Sequence, residues 1–323
     1  MKKSTACVIL LLLSAVLVSC GGGGGGGSES PYVGIRTQAV VADNNYDTVS
    51  RQAFDGVDLG MSSAMPMGSA GGDTGPASLP KPVSLALTLR SAAEQVLLGK
   101  VAGKTAAPRT VVSDSGTELD GYGGFMDYLL SVEDTTGNFW GTFTFRGWHG
   151  EGGAIITGPV NVSGRMDLSA FPSISLVSIR YSFRAVTVAD GLLSIRILGT
   201  VALNISGPTA TVTENLFLTN VASGETFWID DFVLALTDNG SSVAVSIDGR
   251  IYLPDFGYVD ISTATPFVYS MTSTFPSTGV LRIFGRDGAV VRLTVNSTTE
   301  YTVALDEAPG DGLYEHSVTV SWI

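Results

Sequence analysis

Between Val177 and Ala185, apolar and polar side chains alternate without a break: Val177, Ile179, Tyr181, Phe183 and Ala185 against Ser178, Arg180, Ser182 and Arg184. A period of two sends successive side chains to opposite faces of a strand, so this segment predicts a strand with one buried face. Asp190-Gly191 supplies a hairpin turn, after which Leu193, Ile195 and Ile197 resume the apolar face opposite Ser194 and Arg196. Further turn signals stand at Asp238-Asn239-Gly240, Arg286-Asp287-Gly288 and Pro309-Gly310-Asp311-Gly312. At ordinary strand lengths they divide the C-terminal region into about ten to thirteen strands. A weak echo, Gly-x-apolar-x-apolar, starts at Gly164, Gly199, Gly249 and Gly279. Its spacing is irregular, which marks hairpin-level similarity and not a repeat array. The expected fold class is therefore mainly β: an antiparallel meander over 121–323, forming a strongly curved sheet or open barrel, with one or two N-terminal amphipathic helices.

Upstream of Gly121 the period lengthens. Leu85, Leu89, Ala93, Val96, Leu97 and Val101 form a helical stripe bounded by Pro82 and Gly103, predicting an amphipathic helix over 83–103 that packs on the concave face of the sheet. Tyr46, Val49, Ala53 and Phe54 lie at helical spacing after Asp43-Asn44-Asn45, with Gly56 placed as a C-cap. Residues 32–57 thus read as a short strand and a helix. Between the two helices, 58–82 is rich in Gly, Ser, Met and Pro and reads as a flexible linker. Met61, Met65 and Met67 in it are too few and too loosely held for a soft-metal site.

The N-terminus carries a different signal. Lys2 and Lys3 precede an apolar run from Val8 to Val18, too short for a spanning helix of about 20 residues, so 1–19 reads as a signal peptide. It ends Leu17-Val18-Ser19-Cys20, followed by Gly21 to Gly27. This box resembles that of Gram-negative bacterial lipoproteins, in which the cysteine is lipidated and becomes the mature N-terminus. A thiolate is the side-chain nucleophile best suited to alkylation by a lipid donor. The resemblance implies lipid attachment, palmitate included, at Cys20, a glycine-rich tether over 20–31, and, since Gly and not Asp follows the cysteine, an outer-membrane location on the periplasmic face or the cell surface. The strand-helix opening and the stretch from Pro276 to Trp322 also resemble outer-membrane lipoproteins of unknown function, which imply no activity.

Composition narrows the function classes. The 323 residues include only two cysteines, one within the signal, so no disulfide is expected and stability rests on the core. A formal charge of −12, more negative once Lys2 and Lys3 depart, makes nucleic acid an unsuitable partner.

Only His149 and His316 are present, and no Gly-x-Ser-x-Gly elbow occurs. Ser78-Leu79-Pro80-Lys81 and Asp73-Thr74-Gly75 match catalytic motifs in letters but lie among glycines and prolines that remove the helix or strand each chemistry needs. Trp148-His149-Gly150-Glu151 offers two ligands two residues apart, short of a metal site, and His149 reads as an isolated surface histidine. In the lipoproteins resembled, the last turn is often Asp-x-Asp-Gly-Asp-Gly; here Ala308 and Pro309 interrupt the oxygen ligands between Asp306 and Glu315, which favours an acidic turn over a calcium site. No catalytic residue, metal or cofactor is assigned.

The least ordinary feature is the polar face carrying Arg180, Arg184 and Arg196, with Arg282 and Arg292 on later strands. It is either a surface for anionic headgroups or carboxylates, or a solvated face paired with Asp and Glu across strands. The expected function is a membrane-anchored, non-enzymatic binding module for an apolar or amphipathic ligand, a lipid for example; the alternative is a structural or protein-docking lipoprotein of the cell envelope. A membrane β-barrel and an enzyme fit less well. The implied partners are the membrane, through the anchor, and either that ligand or an envelope protein.

Overall fold

The computed structural model describes residues 32–54, 111–133, 135–150, 154–169, 175–190, 193–270, 273 and 275–322. The expected signal peptide (1–19), Cys20 with its expected tether, the expected linker over 58–82 and the expected helix over 83–103 lie outside them. From Tyr32 onward the chain forms one unit, built on a 14-stranded antiparallel sheet in which every strand pairs only with its sequence neighbours. The strands are β1 (Val111–Leu119), β2 (Phe125–Glu133), β3 (Asn138–His149), β4 (Ile155–Asp167), β5 (Ser175–Asp190), β6 (Leu193–Ser206) and β7 (Thr209–Asn220). They continue through β8 (Thr226–Asp238), β9 (Ser242–Leu253), β10 (Gly257–Ser270), β11 (Thr278–Phe284), β12 (Val290–Val295), β13 (Glu300–Asp306) and β14 (His316–Ser321). β1 and β14 do not pair, so the sheet is open. The turns after odd-numbered strands form one rim, here the upper; the others form the lower rim.

The sheet begins ten residues earlier than the pattern predicts, at Val111 and not at 121. β1 reads Val-Val-Ser-Asp-Ser-Gly-Thr-Glu-Leu, and both Val111 and Leu119 are exposed. An edge strand with no buried face leaves no alternation to detect. From β2 to β13 one face is buried throughout, with Phe139, Phe143, Phe145, Ile156, Phe232 and Phe267 among its largest side chains, and these faces join in one continuous core. The predicted faces of β5 and β6 hold for Ile179, Tyr181, Phe183, Ile195 and Ile197, all buried. They fail at Ala185, which is exposed with φ 61°: the β5–β6 register shifts between Arg184 and Val186, and Val186 and Val188 turn inward instead. A bulge inserts one residue and so reverses the alternation beyond it.

Similar register shifts interrupt the pairings of β3 with β4, β7 with β8, β8 with β9 and β10 with β11. Bulges sharpen the local bend and twist, which lets a sheet this wide curl around its own core. The glycine echo belongs to this device. A Cβ at Gly199 would lie 2.0 Å from the Asn215 carbonyl oxygen, and one at Gly249 would lie 2.8 Å from the Phe232 Cα; both residues have positive φ. Only glycine allows neighbouring strands to approach this closely at the bends.

Residues 32–41 do not form the expected strand. They cross the upper rim in extended conformation, touching the sheet through one isolated parallel bridge, Gln38 with Tyr258, and through backbone hydrogen bonds linking Thr37 and Ala39 to Tyr258 and Arg286. Tyr32 is buried against Trp228 and Tyr252 on the outer face, and its hydroxyl donates to the Leu253 carbonyl at 3.1 Å. Helix α1 (46–54) follows where the spacing predicts it. Asn45 stands just before it, but its side chain accepts from the Ala42 N–H and donates to the Val40 carbonyl, tying the helix to the incoming segment. Tyr46, Val49 and Ala53 are buried, and Phe54 meets Phe267, Tyr301 and Trp322. Among the described residues this helix packs into the core of the sheet.

Glu214 is buried on the inward face of β7, level with Val201 of β6 and Phe232 of β8. Burial pushes its carboxyl well above the usual carboxylate range. Its folded value therefore exceeds the unfolded one of about 4.3, and folding takes up a proton between the two. The associated stability is fully present below the unfolded value and is lost as pH rises through the folded one. Glu214→Gln is expected to flatten this decline, so that urea midpoints across a pH series fall less than in the parent and lie higher at neutral pH. Parallel pH profiles for the two proteins would count against an ionising Glu214.

Candidate binding face

Alternation along β4, β5 and β6 sends Arg165, Arg180, Arg184 and Arg196 outward, and all four are exposed. Ser163 pairs with Arg180 and Arg165 pairs with Ser178, so Arg165 and Arg180 are diagonal neighbours, about 7–8 Å apart at Cα. Arg184 lies opposite Leu198 and Arg196 opposite Thr187, on either side of the Ala185 bulge. With its amide oxygen turned toward Arg184, Asn161 accepts from Nη2 at 3.1 Å and Nε at 3.3 Å while its nitrogen donates to the Thr142 hydroxyl. None of the four arginines forms an ion pair among the described residues.

The acids of β4 to β7 are Asp167, Asp190 and Glu214. The first two end their strands at opposite rims and the third points inward. The middle of this outer face thus carries positive charge alone, in a chain of net charge −12.

The later arginines lie apart from these. Arg282 of β11 and Arg292 of β12 are directly opposite each other, at least five strands from β6. Their repulsion is relieved by withdrawal of Arg292, whose guanidinium lies 3.8 Å from the ring centroid of Tyr314. Between the two groups, Arg250 of β9 is neutralised: it donates to Asp260 at 2.7 and 3.2 Å and stacks 3.9 Å from the Tyr258 ring. Beside it an aromatic row runs across β7 to β10, with Phe217 stacked on Trp228 and Trp228 on Tyr252 at centroid distances of 5.3 and 4.2 Å. Tyr32 packs on the two middle rings of this row, Trp228 and Tyr252, so the row serves to fasten the N-terminal segment.

His149 is not isolated. Its Nδ1 lies 2.7 Å from Asp120, whose buried carboxylate also accepts from the backbone N–H groups of Tyr122, Gly124 and His149. Burial raises this carboxyl, but the hydrogen bonds outweigh it and hold the group well below the usual range. The pair resembles the base end of a catalytic triad, yet among the described residues no hydroxyl or thiol is hydrogen-bonded to the His149 Nε2. Its hydrogen bonds join the β1–β2 and β3–β4 turns. Only a signal for strand register could have found Asp120, since it lies 29 residues from His149. Glu151, the partner suggested by spacing, lies outside the described residues.

The β13–β14 turn folds back more tightly than its sequence suggests. Despite Ala308 and Pro309, carboxylate oxygens of Asp306, Asp311 and Glu315 come within 4.8 Å of one another. Asp306 accepts from the N–H groups of Asp311 and Gly312, Asp311 from that of Leu313, and Glu315 from that of Glu307. These oxygens organise the turn. Next to it, His316 faces Asp43 through Nδ1 at 3.0 Å and Glu307 through Nε2 at 3.4 Å, fastening the start of α1 to the rim.

No helix among the described residues is long and apolar enough to cross a membrane. No known protein family, curated protein or solved structure matches the chain.

Proposed function

We propose that this chain is a lipid-anchored, non-enzymatic protein of the cell envelope whose β domain is a docking scaffold, anchored to the outer membrane through Cys20. The observation that carries the reading is the segregation of the two faces. The inward side chains from β2 to β13 form one core with α1, whereas Arg165, Arg180, Arg184 and Arg196 stand outward, with no ion pair among the described residues and only Asp167, at the strand end, near Arg165. A carrier of an apolar or amphipathic ligand needs interior volume, and a vacant cavity would leave accessible area on the side chains lining it. Phe143, Ile156, Val160, Phe232 and Val245 have none. Docking through the outer face fits this packing better than carriage within it.

The test is extraction. The domain without its anchor, purified natively and treated with organic solvent, is expected to yield no stoichiometric lipid by mass spectrometry, before incubation with mixed membrane lipids or after repurification away from them in high salt. Lipid retained at one equivalent would overturn the docking reading in favour of the carrier.

A further inference from the structure

We propose that the outer face of β3 to β6, with Leu129 of β2 at its edge, is a membrane-docking surface that rests on anionic phospholipid headgroups; this deepens the docking reading above by naming its partner. The argument begins with what shares the face. Trp140 of β3 is 45% exposed and Leu129 of β2 is 56% exposed, although both lie on long, well-paired strands. In the register, Trp140 pairs with Ser163 and Ser163 with Arg180. The indole and the guanidinium therefore stand in one row, two strand spacings or about 10 Å apart. Leu129 pairs with Thr142, diagonal to Trp140 on the same face.

An exposed Trp and Leu beside Arg165, Arg180, Arg184 and Arg196 is the combination that suits a bilayer interface. The indole sits at headgroup level, the aliphatic side chain enters the acyl boundary, and guanidinium groups engage phosphate. Between them lie Ser163, Ser182, Thr142 and Thr200, small polar side chains that leave the long ones unobstructed. A protein partner would more often meet a fixed set of complementary carboxylates. A lipid surface asks only for positive charge spread across a face with an aromatic anchor at its edge.

Two further observations choose the membrane. The chain as a whole is strongly acidic, so anionic lipid repels it on average and a face of unpaired arginines is the part best suited to approach. The chain also enters the domain on this same outer side, since Tyr32 packs on Trp228 and Tyr252. Cys20 precedes Tyr32 by twelve residues, a stretch that spans at most about 40 Å. From β9 to β6 is three strand spacings, about 15 Å. A chain of that length permits the arginine face to meet the bilayer in which Cys20 is proposed to be held.

The experiment uses the chain from residue 20 onward carrying Cys20→Ser, so that only the folded surface can bind. It is mixed with vesicles of phosphatidylethanolamine and phosphatidylglycerol, or of phosphatidylcholine alone, and sedimented. Binding is expected to the anionic vesicles only, to fall with added salt, and to shift tryptophan emission to the blue; Trp140→Phe should remove the shift. Each basic residue near an anionic surface contributes about fivefold in affinity, so Arg180→Ser with Arg184→Ser is expected to weaken binding about 25-fold. The paired Arg180→Lys and Arg184→Lys variant should retain most of it, because headgroups respond to charge.

Equal binding to the two vesicle types, or parent-like binding by the serine variant, would overturn the proposal. So would loss of binding by the lysine variant, which would mean that a planar ligand of fixed geometry is being read. The substituted side chains are exposed, and an unchanged circular dichroism spectrum and melting temperature show that each variant is folded. Lipid attachment at Cys20 is absent from this assay by design. Failure here therefore leaves the anchor standing, and failure of the anchor leaves this result standing.

Discussion

Phe232→Ala is expected to destabilise the domain by about 3–5 kcal/mol, the usual loss when a fully buried aromatic ring is removed from a core. Phe232 lies inward on β8 with no accessible surface, level with Glu214 of β7 and just after Asp231, whose φ of 49° marks the bulge between β8 and β9. A Cβ at Gly249 would lie 2.8 Å from the Phe232 Cα, so β8 and β9 are held at close approach here. The measurement is a urea midpoint at constant m-value. Phe217→Ala, which removes a half-buried ring from the outer face, should cost less than Phe232→Ala. A loss under about 1 kcal/mol at Phe232 would mean that the inner face is loosely packed, and would return weight to the ligand-carrier reading.

Cys20→Ser is expected to abolish membrane anchoring and the incorporation of radiolabelled palmitate. Each methylene buried in the bilayer contributes about 0.8 kcal/mol, so the acyl chains together exceed any surface attraction, and no hydroxyl can replace the thiolate that receives them. Fractionation after a high-salt wash is the informative assay, because salt releases protein held by the arginine face alone. The parent should remain in the membrane fraction and the variant should leave it. A variant that stays with washed membranes, or a parent that takes up no palmitate, would refute lipidation at this cysteine.

How far the sequence discloses this molecule depends on the range over which each signal acts. Alternation from Ile179 to Phe183 is a property of neighbouring residues, and the buried face follows from it. The turns at Asp190, Asp238-Asn239-Gly240 and Arg286-Asp287-Gly288 are equally local, since they need only the right backbone preference, and each lies where a strand ends. The reading breaks where the determinant lies on another strand. Nothing within β5 announces that Ala185 must bulge; that follows from its mismatch with β4 and β6 at a point of strong curvature. Nor does β1 show a pattern, because at the edge of the sheet neither face is required to be apolar.

The candidate site divides the same way. The outward direction of Arg180, Arg184 and Arg196 is legible from period two, but their separation from Arg282 and Arg292 is not, because it depends on how many strands intervene. Arg165 joins this face only through the β4–β5 register, and Trp140 only through the two registers that bring it into the row of Arg180. The pairing of His149 with Asp120, and the approach of Asp306 to Glu315 around Pro309, likewise emerge only once turns are folded in space.

The clasp formed by residues 32–54 has a consequence in time. Among the described residues each of the fourteen strands pairs only with its sequence neighbours, so the meander can assemble hairpin by hairpin as the chain emerges. The N-terminal segment is the exception. Its partners, Trp228, Tyr258, Arg286, Tyr301, His316 and Trp322, all belong to the last third of the sequence. This early segment is thus late to find its place, and Tyr46 and Phe54 lack their ring partners until β10 to β14 exist. A chain cut short before β14 would leave these two rings incompletely covered, which gives quality-control proteases a direct mark of incomplete delivery.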